Sequence, residues 1–423
     1  MEKDIYKTSR FMYILEAAFE YFVSILVGGA FLAKAASGVG LSDSTTGILT
    51  SFVSLGCSFQ IVAVFLANKR PVKRWVTVLH TLNQLLFALV YFVPFFKVGA
   101  KMRGVLFALF LLLGWAVNYS VNSPKINWFM ELVDDKKRGA FTATKEIVSL
   151  LGGMVVSLTA GRVIDKFEAV GNDTGAFLFC GLAIVLLTAL HTTTLLCSKE
   201  KPVEEKVVET STKERLKGLF KNKDLFKVVF VGVLWHIVTG VSTPFYGTYQ
   251  IKELGFSMTF VSVLAVLSGF ARAFVSRPLG KYADKTSFQR MLNICMAIEL
   301  VSYAVAAFAV PSNGKVVYTI YYVTHCIGLG GVNSSLINFV YDYVERGERT
   351  VAFALSQAFG GLTGFLTTLC VSPLVKSIQK NGNHFLGLHV YAQQVVSVFS
   401  VIALILLTVY LNTVVKKLKN KRG

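Results

Sequence analysis

Charged residues are scarce in this sequence. They make up 16% of its 423 residues, whereas hydrophobic residues make up 54%. The length would suit one large soluble protein or two ordinary domains. The arrangement of the apolar residues argues against both, because runs of about 20 residues, the length that crosses a bilayer, recur along the chain with short polar breaks. The sequence therefore indicates a polytopic membrane protein.

Cysteines and catalytic motifs are also few. All 6 cysteines fall within the apolar runs or at their ends, and none has the spacing of metal ligands or of an extracellular disulfide framework. The sequence contains no phosphate-binding loop, no Ser/His/Asp arrangement and no metal-ligand cluster. We therefore expect no enzymatic activity, no cofactor and no bound metal.

Twelve of the apolar runs are long enough to be membrane spans. Backbone groups in hydrocarbon have to satisfy one another's hydrogen bonds, and these runs do not alternate as the strands of a barrel would, so we predict an all-α fold. The first run carries Glu16 and Glu20 and is interpreted as a span rather than a cleavable signal peptide. The predicted spans are residues 11–33, 44–66, 75–96, 103–127, 140–163, 175–197, 226–250, 257–276, 290–310, 316–339, 350–374 and 388–412.

The basic residues are distributed unevenly about these spans. A formal net charge of +19 would also fit a nucleic-acid-binding protein, but most of the 43 lysines and arginines fall in segments on one side of the predicted membrane. The positive-inside rule makes that side the cytoplasm, so both termini are predicted to lie there, in a multi-pass protein of the cell membrane. Basic segments such as NKRPVKR (68–74) are expected to contact anionic lipid headgroups, and no nucleic-acid partner is expected.

The longest polar interval, residues 198–225, divides the predicted spans six and six. Its first part is rich in charge. A helix that begins after Thr212 would place Leu216 and Leu219 on one side among lysines, as in an interfacial helix. We therefore predict an N-terminal bundle at residues 1–197, a cytoplasmic linker at 198–225 and a C-terminal bundle at 226–423.

The two predicted bundles contain an internal repeat. NSPKIN (122–127) aligns with NSSLIN (333–338), and in both copies an acidic residue and then an arginine follow at the same distance. A second alignment pairs ANK (67–69) with ADK (283–285), each after the second span of its half. Internal repeats of this kind are typical of secondary transporters.

The repeated segments resemble those of the major facilitator superfamily, and the resemblance covers nearly the whole chain. GKYADKTSFQR (280–290) is similar to that family's loop between spans two and three, whereas the corresponding loop of the first half has Asn68 in the place of the aspartate. The resemblance implies two pseudo-symmetric bundles of six helices. It also implies a cytoplasmic gate, in which charges pair across the bundles and hold the outward-facing state. This role is favoured for Glu131 and Arg138 because the pair recurs in both halves, and the alternative is that they are solvated loop charges. The candidate gate residues are Asn68, Arg74, Glu131, Arg138, Asp284, Arg290, Asp342 and Arg349.

The resemblance further implies that spans one, four, seven and ten line a central cavity. An ionised carboxylate at the bilayer centre costs about 2.5–3.5 kcal/mol, so Glu16 and Glu20, which share one helical face, need water, a cation or protons. Glu20 is the candidate proton-carrying carboxylate; the alternative is a structural carboxylate bonded to Lys125 or Lys145. Glu16 is expected to support it. The other candidates for the substrate and proton pathway are Asn118, Tyr119, Asn122, Lys125, His236, Tyr246, Tyr322, His325 and Asn333.

Several polar residues have two interpretations. Histidine changes its charge near neutral pH, so His236 and His325 would suit a proton relay, but a lone histidine is also a common hydrogen-bond partner inside a protein. The amides and tyrosines could bind a solute or form hydrogen bonds with neighbouring helices. For Asn127 and Asn338 the second role is favoured. Glu299 and Arg272 lie in spans that the resemblance assigns to the scaffold, and they are expected to pair with each other.

The sequence is therefore interpreted as a monomeric secondary transporter that moves a small organic solute by alternating access. Coupling to H⁺ is expected, with Na⁺ as the other choice, and the polar cavity residues favour uptake of a polar solute such as a sugar or an organic acid. The alternatives are efflux of amphipathic compounds, a lipid flippase and a non-transporting sensor on the same fold. SLLGGMVVSLTAG (149–161) in span five has glycines without a proline, which disfavours the drug-antiporter branch of the resembled family.

Overall fold

The computed structural model describes residues 5–66, 71–134, 137–202, 218–341, 343–344 and 349–418, which are largely helical. A short antiparallel hairpin joins β1 (His384–Phe385) to β2 (Leu388–His389). The α-helices are α1 (Lys7–Leu26), α2 (Gly29–Gly38), α3 (Asp43–Thr50), α4 (Phe52–Ser58), α5 (Gln60–Leu66), α6 (Val72–Phe92), α7 (Ala100–Met130), α8 (Arg138–Ala169), α9 (Asp173–Cys197), α10 (Lys223–Thr248), α11 (Met258–Lys285), α12 (Phe288–Ala306), α13 (Gly314–Tyr341), α14 (Arg349–Lys380) and α15 (Ala392–Thr413).

Each predicted span coincides with one helix or with a group of consecutive helices. Within the described residues, 9 helices are long and apolar enough to cross a membrane, or 10 if the bent pair α1–α2 forms one span. The helices α12 and α13 lie at the two remaining predicted spans, 290–310 and 316–339. The chain is thus a helical polytopic membrane protein, which confirms the predicted fold class.

The first span departs from a single straight helix. Its helices α1 and α2 meet at an angle of 50°, at a break where Gly29 has a φ of +49°, a left-handed conformation that glycine adopts readily. The second span, from α3 to the start of α5, is nearly continuous: Ser51 N donates to the carbonyl of Gly47 at 3.0 Å and Leu55 N donates to the carbonyl of Ser51 at 3.1 Å. The hydropathy of the sequence does not predict the bend in the first span.

The described chain belongs to two compact units, called unit 1 and unit 2 below. Unit 1 comprises Met1–Ser42, Phe59–Glu209 and Ser257–Ser262. Unit 2 comprises Asp43–Ser58, Thr210–Phe256 and Val263–Gly423. The helices α3 and α4 therefore pack in unit 2, although they come from the N-terminal half of the sequence.

Aromatic stacking holds α1 against α7 in unit 1. The ring of Tyr13 lies 4.3 Å from that of Phe129, and the ring of Phe129 lies 4.4 Å from that of Trp128. Trp128 Nε1 donates to the carbonyl of Lys199 at 3.0 Å, so the same aromatic group also fixes the chain just after α9. Tyr13 lies one helical turn before Glu16, and the stack therefore positions the polar residues of α1.

Glycines allow close helix packing in unit 2. Gly361 of α14 lies against the backbone carbonyl of Ser54, and Gly364 lies against Gly240 of α10. Thr368 Oγ1 donates to the carbonyl of Gly240 at 2.8 Å across the same contact. Small residues let helix backbones approach each other in this way. The sequence GGLTG (360–364) is thus a helix-packing surface.

Candidate functional site

Five ionisable side chains meet in the interior of unit 1. Four helices supply them: α1, α6, α7 and α9. Glu16 and Glu20 point to the same side because they are four residues apart on α1, where successive helical turns bring side chains together. We call these five residues the buried charge cluster: Glu16, Glu20, His80, Lys125 and His191.

Glu16 is the innermost carboxylate of the cluster, with no exposed surface. Lys125 Nζ of α7 donates to Glu16 Oε1 at 2.7 Å. His191 Nε2 of α9 lies 2.9 Å from the same oxygen. Hydrogen bonds to an ionised carboxylate are shorter and stronger than neutral ones, and burial removes the competition from water. Glu16 therefore links three helices of unit 1.

Glu20 lies one turn further along α1 and keeps part of its side chain exposed, 20%. Lys125 donates to Glu20 Oε2, and Asn118 Nδ2 donates to Glu20 Oε1 at 3.0 Å. His80 Nε2 of α6 lies 3.6 Å from Glu20 Oε1. Glu20 is thus bonded to Lys125, one of the two partners expected from the sequence. The other, Lys145, lies over the ring of Tyr13 at 5.4 Å.

The formal charges of the cluster do not balance. With both glutamates ionised, Lys125 charged and both histidines neutral, the five residues carry one net negative charge. A buried net charge is costly, and here it comes from the carboxylate whose charge the lysine does not compensate. One added proton makes the cluster neutral. Its partly exposed carboxylate, Glu20, is the member that water reaches most easily.

His80 and His191 were not among the residues predicted for the site. Their rings lie 4.9 Å apart, and both side chains are almost fully buried. They come from spans three and six, which the family resemblance does not assign to the cavity. The available signal was that each is an ionisable residue inside an apolar span, which makes a residue a functional candidate by itself.

Three members of the cluster also form a set of metal-ligating groups that the sequence did not predict. One ligand atom from each of Glu16, His80 and His191 lies within 4.8 Å of the others. Carboxylate and imidazole are ligands that transition metals accept. Lys125, however, already supplies the positive charge beside Glu16, and a divalent cation would leave the cluster with excess positive charge. We therefore assign the cationic role here to Lys125.

A second carboxylate–histidine pair is buried in unit 2. Glu299 of α12 has no exposed surface, and its Oε2 lies 2.7 Å from His325 Nδ1 of α13. The ring of His325 stacks on Tyr321, with 5.6 Å between centroids and 19° between planes, and meets the edge of Tyr303. Tyr246 extends this aromatic group and places its hydroxyl 2.7 Å from Ser397 Oγ.

The expected pairing of Glu299 with Arg272 is wrong. Among the described residues, the ion-pair partner of Glu299 is His325, and Arg272 is exposed on α11. The helices α12 and α13 pack directly against each other. A buried carboxylate therefore finds a partner inside that interface rather than on the outer face of α11.

The other predicted pathway residues are dispersed. Asn118 belongs to the contacts of Glu20, as described above. His236 of α10 is half-buried, faces Gly360 and is hydrogen-bonded to Gln357. The half-buried residues also include Tyr119, Asn122 and Tyr322, while Asn333 is exposed.

Within the described residues, Asn127 does not show the structural role that the sequence favoured. It is exposed near the end of α7 and makes no side-chain hydrogen bond within the part of the chain that the structure describes. Asn338 is half-buried on α13 and does have an interaction partner.

The candidate gate residues are only partly described. Asn68 and Asp342 lie outside the described residues, and the side chain of Arg138 does too. Arg349 lies 5.4 Å from the ring of Tyr341. Glu131 is half-buried at the end of α7, while exposed side chains are found at Arg74, Asp284 and Arg290. The proposed charge pairs of the gate therefore stay a prediction.

The helical architecture is similar to that of solved membrane transporters, and the likeness concerns the fold. A mutant of the nucleoside transporter NupG has a TM-score of 0.74 and 13% identity, covering 96% of this chain and 99% of that one. The D-xylose-proton symporter has a TM-score of 0.70 and 13% identity, covering 95% and 96%. The xylose transporter XylE from E. coli, in a partially occluded inward-open conformation, has a TM-score of 0.71 and 11% identity, covering 100% and 99%.

The family follows from the sequence profile. The profile of the Major Facilitator Superfamily matches residues 12–368, and the chain belongs to that family. No curated protein sequence matches this chain. At identities of 11–13% the solved structures show a common fold, and they do not carry a substrate over to this chain.

Proposed function

We propose that the protein is a secondary active transporter that takes up a small, hydroxyl-bearing polar solute together with protons, by alternating access. The observation that carries the proposal is the unbalanced charge of the buried charge cluster. Two carboxylates share one cation inside a membrane-spanning bundle, and a single proton restores neutrality. A proton that is bound and released at such a site changes the stability of the helix contacts around it, which is what coupling requires.

Glu20 is the proposed carrier of this proton. When Glu20 is ionised, Lys125 bridges it to Glu16, and α1 is tied to α7 through both carboxylates. When Glu20 takes up a proton, it loses its charge, and Lys125 is left with Glu16 as its strong partner. The contact of Glu20 with Lys125 and Asn118 weakens accordingly. Proton binding thus loosens one of the two links between α1 and α7.

Asn118 supplies a reason for linking the proton to a polar solute. Its amide donates to Glu20 Oε1 at 3.0 Å, and this hydrogen bond weakens when the carboxylate is neutralised, so the amide can be given up to another acceptor. A solute hydroxyl can then accept from the amide. The nucleoside and D-xylose transporters among the solved structures support a hydroxyl-bearing solute as the first class to test.

We propose a monomer in the cell membrane with both termini in the cytoplasm, in accordance with the positive-inside distribution of lysine and arginine. The acidic–basic pairs Glu131–Arg138 and Asp342–Arg349 are proposed to form the cytoplasmic gate.

The test uses purified protein in liposomes that contain a pH-sensitive dye. Labelled nucleosides, sugars, organic acids and amphipathic drugs are added outside, with an imposed pH gradient or Na⁺ gradient. The proposal predicts accumulation of a hydroxyl-bearing solute with acidification of the lumen. Solute movement opposite to the protons would instead indicate an exporter, and accumulation driven by Na⁺ alone would contradict proton coupling.

A further inference from the structure

Unlike the cluster in unit 1, the buried pair in unit 2 has no lysine within the described residues. Glu299 Oε2 faces His325 Nδ1 at 2.7 Å, and the carboxylate lies over Gly328, whose missing side chain leaves the space that it occupies. Within the described residues, no lysine or arginine nitrogen lies within 4.0 Å of Glu299. The other carboxylate oxygen, Oε1, has no hydrogen-bond partner there.

Within the described residues, the surroundings of the pair contain other ionisable groups but no buried cation. Arg272 of α11 is exposed. Its charge interacts electrostatically with Cys326, next to His325 in the sequence, rather than with the carboxylate of Glu299. Tyrosine and cysteine are neutral in their protonated forms, so these neighbours add no positive charge. The groups that interact electrostatically with Glu299 from α10, α12 and α13 are Tyr246, Cys295, Tyr303, Tyr321, His325 and Cys326.

The net charge of the Glu299–His325 pair depends on a single proton. An ionised Glu299 beside a neutral His325 is a bare negative charge in a membrane-spanning bundle, and such charges are costly. One proton removes the net charge, whether it resides on the imidazole as an ion pair or on the carboxyl as a neutral pair. In unit 1 a lysine compensates the charge of one of the two carboxylates, whereas in unit 2 a proton is the group that fits.

We propose that Glu299 and His325 form a second proton-binding site, which fills and empties during transport. In the step, one H⁺ from water adds to the anionic pair and gives a neutral pair; the same H⁺ returns to water when the site empties. His325 is the entry point, because its side chain is 9% exposed whereas that of Glu299 is fully buried. Together with the cluster of unit 1, and resting on the function proposed above, this site gives two protons per solute.

The first test counts protons directly and needs no solute. Purified protein in lipid nanodiscs is titrated potentiometrically between about pH 6 and 9, a range in which an exposed glutamate stays ionised. The Glu299→Gln variant is expected to bind about one proton fewer than the unmodified protein over this range. Glu168→Gln, an exposed glutamate of α8 that pairs with Lys34, is the control and is expected to titrate like the unmodified protein.

A Glu299→Gln variant that binds as many protons as the unmodified protein overturns the proposal. If Glu299→Gln does not fold, His325→Gln replaces it and is expected to show the same loss. If neither variant folds, the unmodified protein decides: its reversal potential is expected to correspond to two protons per solute, and a value of one or none contradicts the second site.

The outcomes separate this inference from the proposed function. A lower proton count in Glu299→Gln, in a protein that no pH gradient drives, supports the second site and contradicts proton-coupled transport. Proton-driven uptake with the same proton count and stoichiometry in Glu299→Gln supports transport and contradicts the second site.

Discussion

Lys125 Nζ of α7 lies 2.7 Å from Glu16 Oε1 of α1, and both side chains are almost fully buried in unit 1. The same ammonium group also pairs with Glu20. One cation thus holds two carboxylates, so its removal leaves two buried charges without compensation. Removal of either carboxylate leaves a cluster in which the remaining charges are still paired.

Lys125→Met is therefore expected to be the most destabilising single change in the cluster. Loss of one partner of a buried ion pair costs about 3–5 kcal/mol, because the partner stays buried and charged. The free energy of unfolding of the purified protein in mixed micelles, measured by titration with a denaturing detergent, checks this. Lys145→Met is the control, since Lys145 contacts the ring of Tyr13 and no carboxylate of the cluster.

Equal stability losses in Lys125→Met and Lys145→Met would refute the role given to Lys125. A further comparison isolates the charge. Glu16→Gln added to Lys125→Met is expected to restore part of the lost stability, because it removes one of the stranded carboxylates.

His191→Ala is expected to lower the free energy of unfolding by about 1.5–3 kcal/mol, the range for a hydrogen bond to a charged group. The cause is the loss of the 2.9 Å contact with Glu16 Oε1. His191→Gln, which keeps a donor, is expected to recover part of this loss. The control is His384→Ala in the exposed β-hairpin, for which almost no change is expected. Matching losses at His191 and His384 would contradict the contact.

Gly361→Leu is expected to destabilise unit 2 by about 1–3 kcal/mol, since overpacking forces backbones apart. The reason is the close approach of Gly361 to the backbone carbonyl of Ser54. Gly280→Ala on α11 is the control, because a Cβ there meets no atom within 4 Å and alanine favours the helix. Thermal denaturation followed by fluorescence compares the two. A Gly361→Leu protein as stable as the control would show that the helix-packing surface at Gly361 is not closely packed.

Asp43→Asn is expected to lower the unfolding free energy by about 1–3 kcal/mol. Asp43 begins α3, and its carboxylate accepts from Lys252 and, at 2.9 Å, from Gln379 Nε2. Asp224→Asn is a matched control, since Asp224 also lies in the first turn of a helix but forms an exposed pair with Lys227, for which about 0–1 kcal/mol is expected. If Asp224→Asn lowers the free energy of unfolding by as much as Asp43→Asn, the loss comes from the position at the helix end and not from the buried contacts of Asp43.

Much of the fold was predictable because the bilayer imposes it. Apolar runs near 20 residues have to be helices, and the repeat of NSPKIN in NSSLIN indicated two related halves. The bend in the first span was not predictable from hydropathy. It depends on the left-handed backbone conformation of Gly29.

The site was predictable only where one helix contains the pattern. Glu16 and Glu20 lie four residues apart, so their common face follows from helical geometry, and Lys125 was one of two cations in reach. His80 and His191 come from two other helices, and no spacing in the sequence relates them to Glu16. The pairing of Glu299 was missed for the same reason: the exposure of Arg272 is a property of tertiary packing.

The most direct test of the central claim is solute accumulation by the Glu20→Gln protein in liposomes under an imposed pH gradient. Glu146→Gln, an exposed glutamate of α8, is the control. We predict that Glu20→Gln accumulates less solute than the unmodified protein at the same pH gradient, because one of the two proposed proton sites is lost, but keeps exchange of labelled for unlabelled solute at equal pH, while Glu146→Gln retains both. Accumulation by Glu20→Gln to the level of the unmodified protein, with unchanged pH dependence, would contradict the assignment of Glu20 as the proton carrier.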